Sequence, residues 1–303
     1  MNENKINEIE EVKKLTGATE DRIKLHDDGY WSRAYVVNNG EYVVKFPRNE
    51  TVSYKNEAKV LDHLNTLKLP INIQKVKWMA DDGHCVVFHG VKGKPLSEMR
   101  AFTYEQKQNI AKQLGAFIKL LHSVDIEVGE KLPEEKMLDG EISSYQEIYG
   151  KLTDFYTKFM TQEERSELDN LMYNVLPKER KKLGAKRVFS HADIFEPNVL
   201  VDEEGNVGLI DFANADYCDD SADFGIDEPV LCGLVLDYYG ADQNLRKKLA
   251  VKKDMSTIIN PIFDIEKPGK VIDERGKLAA AEKWIPLVCN VVSKYKTQSF
   301  QKD

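Results

Sequence analysis

Three oxygen-bearing side chains around two short apolar runs could together hold a metal ion and accept a proton. Asn198 directly precedes a Val-Leu-Val run, and Asp211 directly follows a Val-Gly-Leu-Ile run. The segment between the runs, 202–206, is Asp-Glu-Glu-Gly-Asn, a turn composition that predicts a β-hairpin. A hairpin brings the residue before its first strand beside the residue after its second, so Asn198 and Asp211 should meet. Their oxygens suit Mg²⁺, and Asp193, in the loop that leads into the hairpin, is then free to act as a base.

The loop before the hairpin has the pattern H-x-D-x-x-x-x-N, formed by His191, Asp193 and Asn198. With the Ile-Asp-Phe that ends the hairpin, it resembles the catalytic and metal-binding loops of the protein-kinase-like superfamily, in which one Asp accepts the proton of the substrate hydroxyl while an Asn and a second Asp hold Mg²⁺. His-Ala-Asp instead of His-Arg-Asp, and the lack of a following Ala-Pro-Glu segment, point away from protein kinases. The closer resemblance is to the aminoglycoside phosphotransferase and choline kinase group of small-molecule kinases. The alternative is that these are only turn and cap residues.

The resemblance implies an α+β, protein-kinase-like bilobal fold. It predicts a small β-rich N-terminal nucleotide-binding lobe with one main helix at residues 1–90, and a larger, mostly helical catalytic and substrate-binding lobe at residues 91–303. A chain of 303 residues is long enough for two such lobes. The implied reaction is transfer of the γ-phosphoryl group of ATP or GTP to a hydroxyl of a small molecule, and the sequence does not decide between the two nucleotides.

A lysine and a glutamate near the N-terminus are predicted to orient the nucleotide phosphates. Asn-Asn-Gly at 38–40 predicts a tight turn, and the strand after it places Lys45 at a position that is usually apolar. Downstream, 53–67 has the spacing of a helix whose buried stripe includes Glu57, so Glu57 needs a cation. The superfamily has a strand-lysine to helix-glutamate pair in this order, and Lys45 with Glu57 fits it. Taken singly, each residue could be a surface charge.

Other nucleotide contacts are implied by the resemblance alone. The loop that covers the phosphates should lie at 28–33, where the chain has a single glycine, Gly29, and Ser32 as a possible donor to phosphate. A lone glycine between strands is more often only a turn. The hinge between the lobes should lie near Phe88 to Gly90, whose backbone groups would bond the purine.

Composition is that of a soluble globular protein, with 42% hydrophobic and 31% charged residues. There is no apolar run of about 18 residues, so no membrane span is expected, and the charged N-terminus lacks the apolar core of a signal peptide. The four cysteines are scattered without C-x-x-C spacing, which predicts reduced core thiols. We therefore expect a cytoplasmic protein with no membrane partner.

Charge is unevenly distributed. The net charge is −8, yet 188–245 contains fourteen acidic residues and no Lys or Arg, so the rest of the chain is net basic. An acidic stretch around the catalytic loop argues against a nucleic-acid partner and for metal and cationic ligands. A polycationic acceptor such as an aminoglycoside could then be bound by Asp227, Glu228 and neighbouring carboxylates. The alternative is that the stretch forms a solvated acidic face.

Two other functions remain open. A choline-type acceptor has one quaternary ammonium and would favour an aromatic cage, for which Tyr238, Tyr239 and Trp284 are available; macrolides, sugars and amino alcohols are further possible acceptors. The sparse glycine loop also permits a non-catalytic nucleotide-binding protein with a kinase fold.

Several residues are expected to be structural. Residues 104–124 have the clearest helical spacing, and His122 continues its apolar stripe as a core histidine. His191 is expected to brace the catalytic loop, and Asp223 to fix that loop from a D-x-x-x-D segment. Residues 178–187 are interpreted as a basic linker.

Overall fold

The structure, a computed structural model, describes residues 3–26, 31–49, 51–99, 101–266 and 271–299. The chain divides into two compact units. Unit 1 comprises Met1–Lys131 and Val188–Ala241, and unit 2 comprises Leu132–Arg187 and Asp242–Asp303. Every residue predicted above to bind nucleotide, metal or a polycationic acceptor belongs to unit 1, whereas Trp284, named for a choline-type acceptor, belongs to unit 2. The predicted lobe boundary at residue 90 falls inside unit 1 and stays a prediction.

The strands of the described residues lie in unit 1, apart from Arg187, which belongs to unit 2 and begins the strand that ends at Ser190. In chain order they are β1 (Ile23–His26), β2 (Ser32–Val37), β3 (Tyr42–Pro47), β4 (Asn72–Ile73), β5 (Lys75–Met79), β6 (Val86–His89), β7 (Lys94–Pro95), β8 (Arg187–Ser190), β9 (Val199–Val201), β10 (Val207–Leu209) and β11 (Asp216–Asp219).

The helices are distributed over both units. Unit 1 has α1 (Glu3–Thr16), α2 (Lys55–Leu64), α3 (Tyr104–Leu121) and α8 (Pro229–Tyr239). Unit 2 has α4 (Glu134–Lys151), α5 (Thr153–Phe159), α6 (Gln162–Asn170), α7 (Leu176–Leu183), α9 (Gln243–Ile259), α10 (Pro261–Ile265) and α11 (Glu274–Ser299). No helix within the described ranges is both long and apolar enough to cross a membrane.

The N-terminal sheet has five antiparallel strands in the order β1-β2-β3-β6-β5. Its register sets Lys45 opposite Ala34 on one side and Val86 on the other. Helix α1 packs against this sheet, with Val12 fully buried in the shared core. On the same helix, Glu8 accepts hydrogen bonds from Arg33 of β2 at 2.5–3.0 Å.

A second sheet, in the order β4-β10-β9-β7, contains the predicted hairpin. Strands β9 and β10 pair antiparallel with Leu209 opposite Val199, which confirms the hairpin expected from the apolar runs. The tight turn between them is closed by Asp202, whose carboxylate accepts from the Asn206 N–H at 2.7 Å. Its tip is tied to α3, because the Gly205 carbonyl accepts from the side chains of Asn109 and Gln113 at 2.8 and 2.9 Å.

Helices α3 and α8 pack closely on each other within unit 1. Helix α3 begins at a capping box in which Thr103 and Gln106 exchange hydrogen bonds. A Cβ on Gly115 of α3 would lie 2.8 Å from Cβ of Tyr238 and 2.9 Å from the backbone nitrogen of Tyr239, so only glycine permits this approach. The core histidine predicted at the end of α3, His122, is buried as expected.

Unit 2 is helical, with a core that includes Tyr156, Leu168, Met172, Met255, Ile258 and Val288. The interpretation of 178–187 as a basic linker is wrong, because most of it belongs to helix α7. Its Arg180 is fully buried and donates to both carboxylate oxygens of Glu141, at 2.9 and 3.1 Å. A bidentate ion pair satisfies the hydrogen-bond donors of the guanidinium inside the core. Arg180 is therefore a structural residue of unit 2.

Candidate active site

The hairpin ends bring Asp211 into the site in a strained backbone conformation. Asp211 follows β10 with φ 66° and ψ 70°, a left-handed region that is unfavourable for a residue with a side chain. Its N–H donates to the side-chain oxygen of Gln74 at 3.0 Å, which holds the turn. The Asp211 side chain is 41% exposed, so a ligand can reach the carboxylate.

Lys45 lies between two carboxylates. Its Nζ donates to Glu57 Oε1 at 3.1 Å and to Asp211 Oδ1 at 2.8 Å. Lys45 is 7% exposed and Glu57 2%, so the predicted strand-to-helix pair is present and buried. Glu57 Oε2 has no hydrogen-bond partner among the described residues.

Burial and charge oppose each other in this group. Burial alone would lower the pKa of Lys45, but the carboxylates of Glu57 and Asp211 outweigh it and the pKa is raised. Burial is also the largest influence on Asp211, yet the Lys45 ammonium lowers its pKa overall. For Glu57 burial prevails and the pKa is raised. The site therefore holds a charged ammonium beside an ionised Asp211.

Asp193 and Asn198 are hydrogen-bonded to each other. The Nδ2 of Asn198 donates to the Asp193 carbonyl at 3.0 Å and to Asp193 Oδ2 at 3.1 Å. The amide orientation therefore leaves Asn198 Oδ1 for another partner. Burial and the Asp211 carboxylate raise the pKa of Asp193 to about 6, against hydrogen bonds from Asn198 and Asn214 that lower it.

His191 braces the catalytic loop. It is fully buried, its Nε2 lies 3.1 Å from the Ile210 carbonyl, and its Nδ1 accepts from the Asp193 N–H at 3.2 Å. A carbonyl can only accept, so the proton lies on Nε2 and the ring is neutral. Burial lowers the pKa of His191 accordingly. This agrees with the expectation that His191 does not ionise during turnover.

Asp223 holds the same loop from the other side. Its carboxylate accepts from the N–H groups of His191 and Ala192 at 3.2 and 2.7 Å. Ala192 has φ 61°, so these bonds hold a strained residue directly before Asp193. Asp223 also contacts His122 Nε2 at 3.1 Å, and His122 Nδ1 contacts the Tyr239 hydroxyl at 3.0 Å.

Ser32 begins β2 and lies beside a tyrosine that sequence reasoning missed. The Tyr54 hydroxyl donates to Ser32 Oγ at 2.8 Å, and Tyr54 is 1% exposed. This bond uses a lone pair of Ser32 and leaves its own O–H to donate elsewhere. Gly29 and the rest of 27–30 lie outside the described residues, so the predicted phosphate loop is described only from residue 31 onward.

The predicted hinge residues are already paired within the sheet. Phe88 is in β6, opposite Val43 of β3 and Val76 of β5. The Gly90 N–H donates to the Glu41 carbonyl at 2.9 Å. That amide is therefore not free for a purine, and the next amides along the chain belong to Val91 and Lys92.

Glu228 lies at the start of α8, and its assignment to the acceptor stays a prediction. Its side chain caps α8 by accepting from the N–H groups of Val230 and Leu231 at 3.3 and 2.7 Å, and it pairs with Lys107 at 3.1 Å. Its pKa is lowered because these contacts outweigh burial. A carboxylate so occupied is a poor partner for a polycation. Asp227 is exposed, and its assignment to the acceptor stays a prediction.

The donor set at the hairpin ends fits a magnesium ion. Asn198 Oδ1 and the solvent-accessible carboxylate of Asp211 are hard oxygen donors, and Mg²⁺ takes few protein ligands, completing its shell with water and phosphate. No cluster of three or more His, Cys, Asp or Glu able to hold a metal occurs in the described part of the chain.

Solved structures share this fold at low sequence identity. The gentamicin complex of APH(2")-IIa is 18% identical with a TM-score of 0.69, covering 94% of this chain and 97% of that one. The GDP and kanamycin complex of APH(2")-IIia is 17% identical with a TM-score of 0.70, covering 97% and 99%. Macrolide 2'-phosphotransferase MphH from Brachybacterium faecium is 14% identical with a TM-score of 0.61, covering 91% and 97%. The fold is thus the predicted α+β, protein-kinase-like one.

No curated protein sequence matches the chain significantly. The model of one protein family, described as the phosphotransferase enzyme family, matches residues 22–226, which is more than half of the chain. Those residues include Lys45, Glu57, Asp193, Asn198 and Asp211. The chain therefore belongs to the phosphotransferase enzyme family.

Proposed function

We propose that the protein transfers the γ-phosphoryl group of ATP or GTP to a hydroxyl group of a small cationic molecule. The observation that carries this proposal is that the predicted site residues lie together around Asp211. Lys45 pairs with Asp211 at 2.8 Å, and the hydrogen-bonded pair Asp193–Asn198 lies at the same open end of the hairpin. A phosphoryl transfer needs little covalent chemistry from the protein and depends on positioning and charge. This set of groups supplies both.

Each residue has a distinct role in the proposed mechanism. Asn198 Oδ1 and Asp211 would hold Mg²⁺, and the bound ion would neutralise the charge of the phosphate oxygens. Lys45, oriented by Glu57, holds the phosphates through its ammonium. Asp193 aligns the acceptor hydroxyl and takes its proton, since a carboxylate with a pKa of about 6 is ionised at neutral pH and is still basic enough to accept a proton.

Aminoglycosides are the first acceptor class to test. Two of the structural neighbours are complexes with gentamicin and kanamycin, and the macrolide enzyme shows that the fold also serves another antibiotic class. Choline is the second candidate and loses support, because the Tyr239 ring packs on His122 and Phe224 and the Trp284 N–H donates to Asp264. Resistance to an antibiotic is the role these acceptors would imply.

The cytoplasm is the proposed location. The four cysteines form no disulfide in the described part of the chain, and Cys85 is buried, as expected of a protein in a reducing compartment. Nucleoside triphosphates are also supplied there.

The test is nucleoside diphosphate release from ATP and GTP with Mg²⁺ and a panel of aminoglycosides, choline and macrolides. We expect one acceptor class to stimulate release in the wild type. Asp193→Asn should lower that rate by about 10²–10⁴-fold, the range for a lost acid–base group. Asp62→Asn, an exposed aspartate of α2, is the matched control and should match the wild type. Nucleotide binding without turnover of any acceptor would instead favour the non-catalytic alternative.

A further inference from the structure

A small cavity of about 200 Å³ lies in unit 1 beside the catalytic loop. Most of its wall is apolar and is contributed by Leu96, Met99, Ala101, Phe102 and Leu231. A site for a whole drug-sized ligand spans roughly 300–1,000 Å³. This cavity therefore has room for one ring or short chain of a larger molecule.

The remaining wall is charged, with Glu196, Glu228 and Lys107. Lys107 pairs with Glu228 at 3.1 Å, so these two charges offset each other. Glu196 accepts the N–H groups of Asp227 and Glu228 on Oε1, at 2.7 and 3.3 Å. No hydrogen bond to Glu196 Oε2 occurs among the described residues. The cavity thus offers one negative charge and one available carboxylate oxygen.

The cavity is near the reacting group along the chain. Glu196 lies three residues after Asp193 in the same loop, a separation that spans at most about 10 Å. Between them, Phe195 is 37% exposed, and Val230 at the start of α8 is 46% exposed. Both residues therefore expose apolar surface close in sequence to Glu196 and Glu228, which line the cavity.

The acidic stretch has fewer carboxylates available to bind a polycation than its composition suggests. Several of its carboxylates already accept backbone N–H groups: Asp202 in the hairpin turn, Asp219 at Ser221, Asp223 under the catalytic loop and Asp242 at the start of α9. Glu228 caps α8 in the same way. These charges hold the fold, and ammonium groups would compete with hydrogen bonds already made.

We propose that this cavity is the acceptor subsite of the transfer reaction. It takes an apolar ring or chain of the acceptor, while Glu196 Oε2 binds a single cationic nitrogen. The subsite then selects hydroxyl compounds with one amine and apolar surface over polycations. This inference rests on the proposed function and narrows its acceptor class.

The test compares two probes, a macrolide with one tertiary amine and kanamycin, by direct binding to the full-length protein. Ala101→Trp fills the cavity from an exposed position. We expect it to weaken macrolide binding at least about tenfold, the loss given by about 1.4 kcal/mol. Ala279→Trp, an exposed alanine of α11 that does not line the cavity, is the matched control and should bind as the wild type does.

A second variant tests the charge. In Glu196→Gln the new amide oxygen can still accept the N–H groups of Asp227 and Glu228, so the loop keeps its bonds while the negative charge is lost. The affinity for the amine-bearing probe should fall about 10–100-fold, the usual value of a hydrogen bond to a charged group. Nucleotide affinity should not change.

Binding measurements test the subsite independently of the phosphoryl transfer. Unchanged macrolide binding in Ala101→Trp, tighter binding of kanamycin than of the macrolide, or binding of neither probe would each overturn the subsite. Failure of any acceptor to stimulate diphosphate release, with macrolide binding still sensitive to Ala101→Trp, would instead count against the phosphotransfer and leave the subsite standing.

Discussion

At Asp193, burial favours the protonated carboxyl group, whereas the proposed function needs the ionised carboxylate. Its carboxylate is partly buried beside Asp211, and both influences favour the protonated form. The proposed reaction needs the ionised form. The folded protein therefore holds, at neutral pH, a charge that the unfolded chain would hold more easily.

This conflict predicts a pH-dependent gain in stability from Asp193→Asn in metal-free protein. The folded-state pKa of about 6 lies above the ordinary 3.8, so the folded state binds this proton more tightly. The resulting stability is fully present below pH 3.8 and is lost as pH rises through 6. We expect the variant to melt at a higher temperature than the wild type at pH 8 and to lose that advantage at pH 4.

Asp202→Asn is a control for which we expect the opposite change in melting temperature. The Asn206 side chain and neighbouring backbone amides lower the pKa of Asp202, so its contribution is present at neutral pH and is lost on acidification. The variant should melt below the wild type at pH 8. Equal melting temperatures for Asp193→Asn and the wild type at pH 8 would mean that the Asp193 carboxylate is not destabilised.

The sequence predicts site residues well where chemistry and periodicity agree. Lys45 and Glu57 could be paired because each is a charge at a position that periodicity marks as buried. Gln74 and Tyr54 could not be found, since a single polar residue gives no sign of a partner elsewhere in the chain: Gln74 holds Asp211 across 137 positions. The capping role of Glu228 could not be found, because capping a helix leaves the same mark in the sequence as binding a ligand.

At the scale of elements, short apolar runs and turn residues were enough to locate the hairpin and α3. Helix α7 was missed because its basic residues resemble a linker, and only the half-buried partner Glu141 explains the buried Arg180. At the start of α8, an acidic residue that resembles a ligand-binding group has a structural role. Glu228, an uncommon type of capping residue, accepts hydrogen bonds from the N–H groups of the first turn of the helix.

We predict that Glu228→Ala lowers the free energy of unfolding by about 1 kcal/mol, the usual cost of losing an N-cap. The reason is that the N–H groups of Val230 and Leu231 lose their acceptor. Denaturant melting measures this, with Glu203→Ala in the exposed hairpin turn as the control. A variant with unchanged stability and a lost affinity for kanamycin would restore Glu228 as an acceptor ligand.

At the scale of the molecule, all proposed chemistry belongs to one of two units. The nucleotide and metal residues lie in unit 1, whose chain comes from two separate stretches, whereas unit 2 is helical and has its own core. Length and helical spacing indicated a helical C-terminal region. They could not show that the chain leaves unit 1 after residue 131 and returns at 188, because no composition change marks either crossing.

We predict that Mg²⁺ with ADP slows amide hydrogen exchange in β3, β6 and the β9–β10 hairpin by at least tenfold at saturating nucleotide. Ligand binding to the native state opposes local opening in proportion to occupancy. Amides of α5 and α6 in unit 2 should exchange at unchanged rates. Mass spectrometry of peptides measures both, and Lys45→Met, which removes the ammonium at the phosphates, should abolish the protection. Protection of unit 2 peptides alone would place the nucleotide elsewhere.

The interrupted path of the chain also bears on how the protein is made. The ribosome releases 132–187 before 188–241, so four helices emerge while the last strands of unit 1 are still unmade. Their own partners, α9 to α11, come last of all. During synthesis, the apolar faces of these four helices therefore stay exposed until unit 1 is complete and α9 to α11 have emerged. This interval is when the nascent chain most needs protection from aggregation.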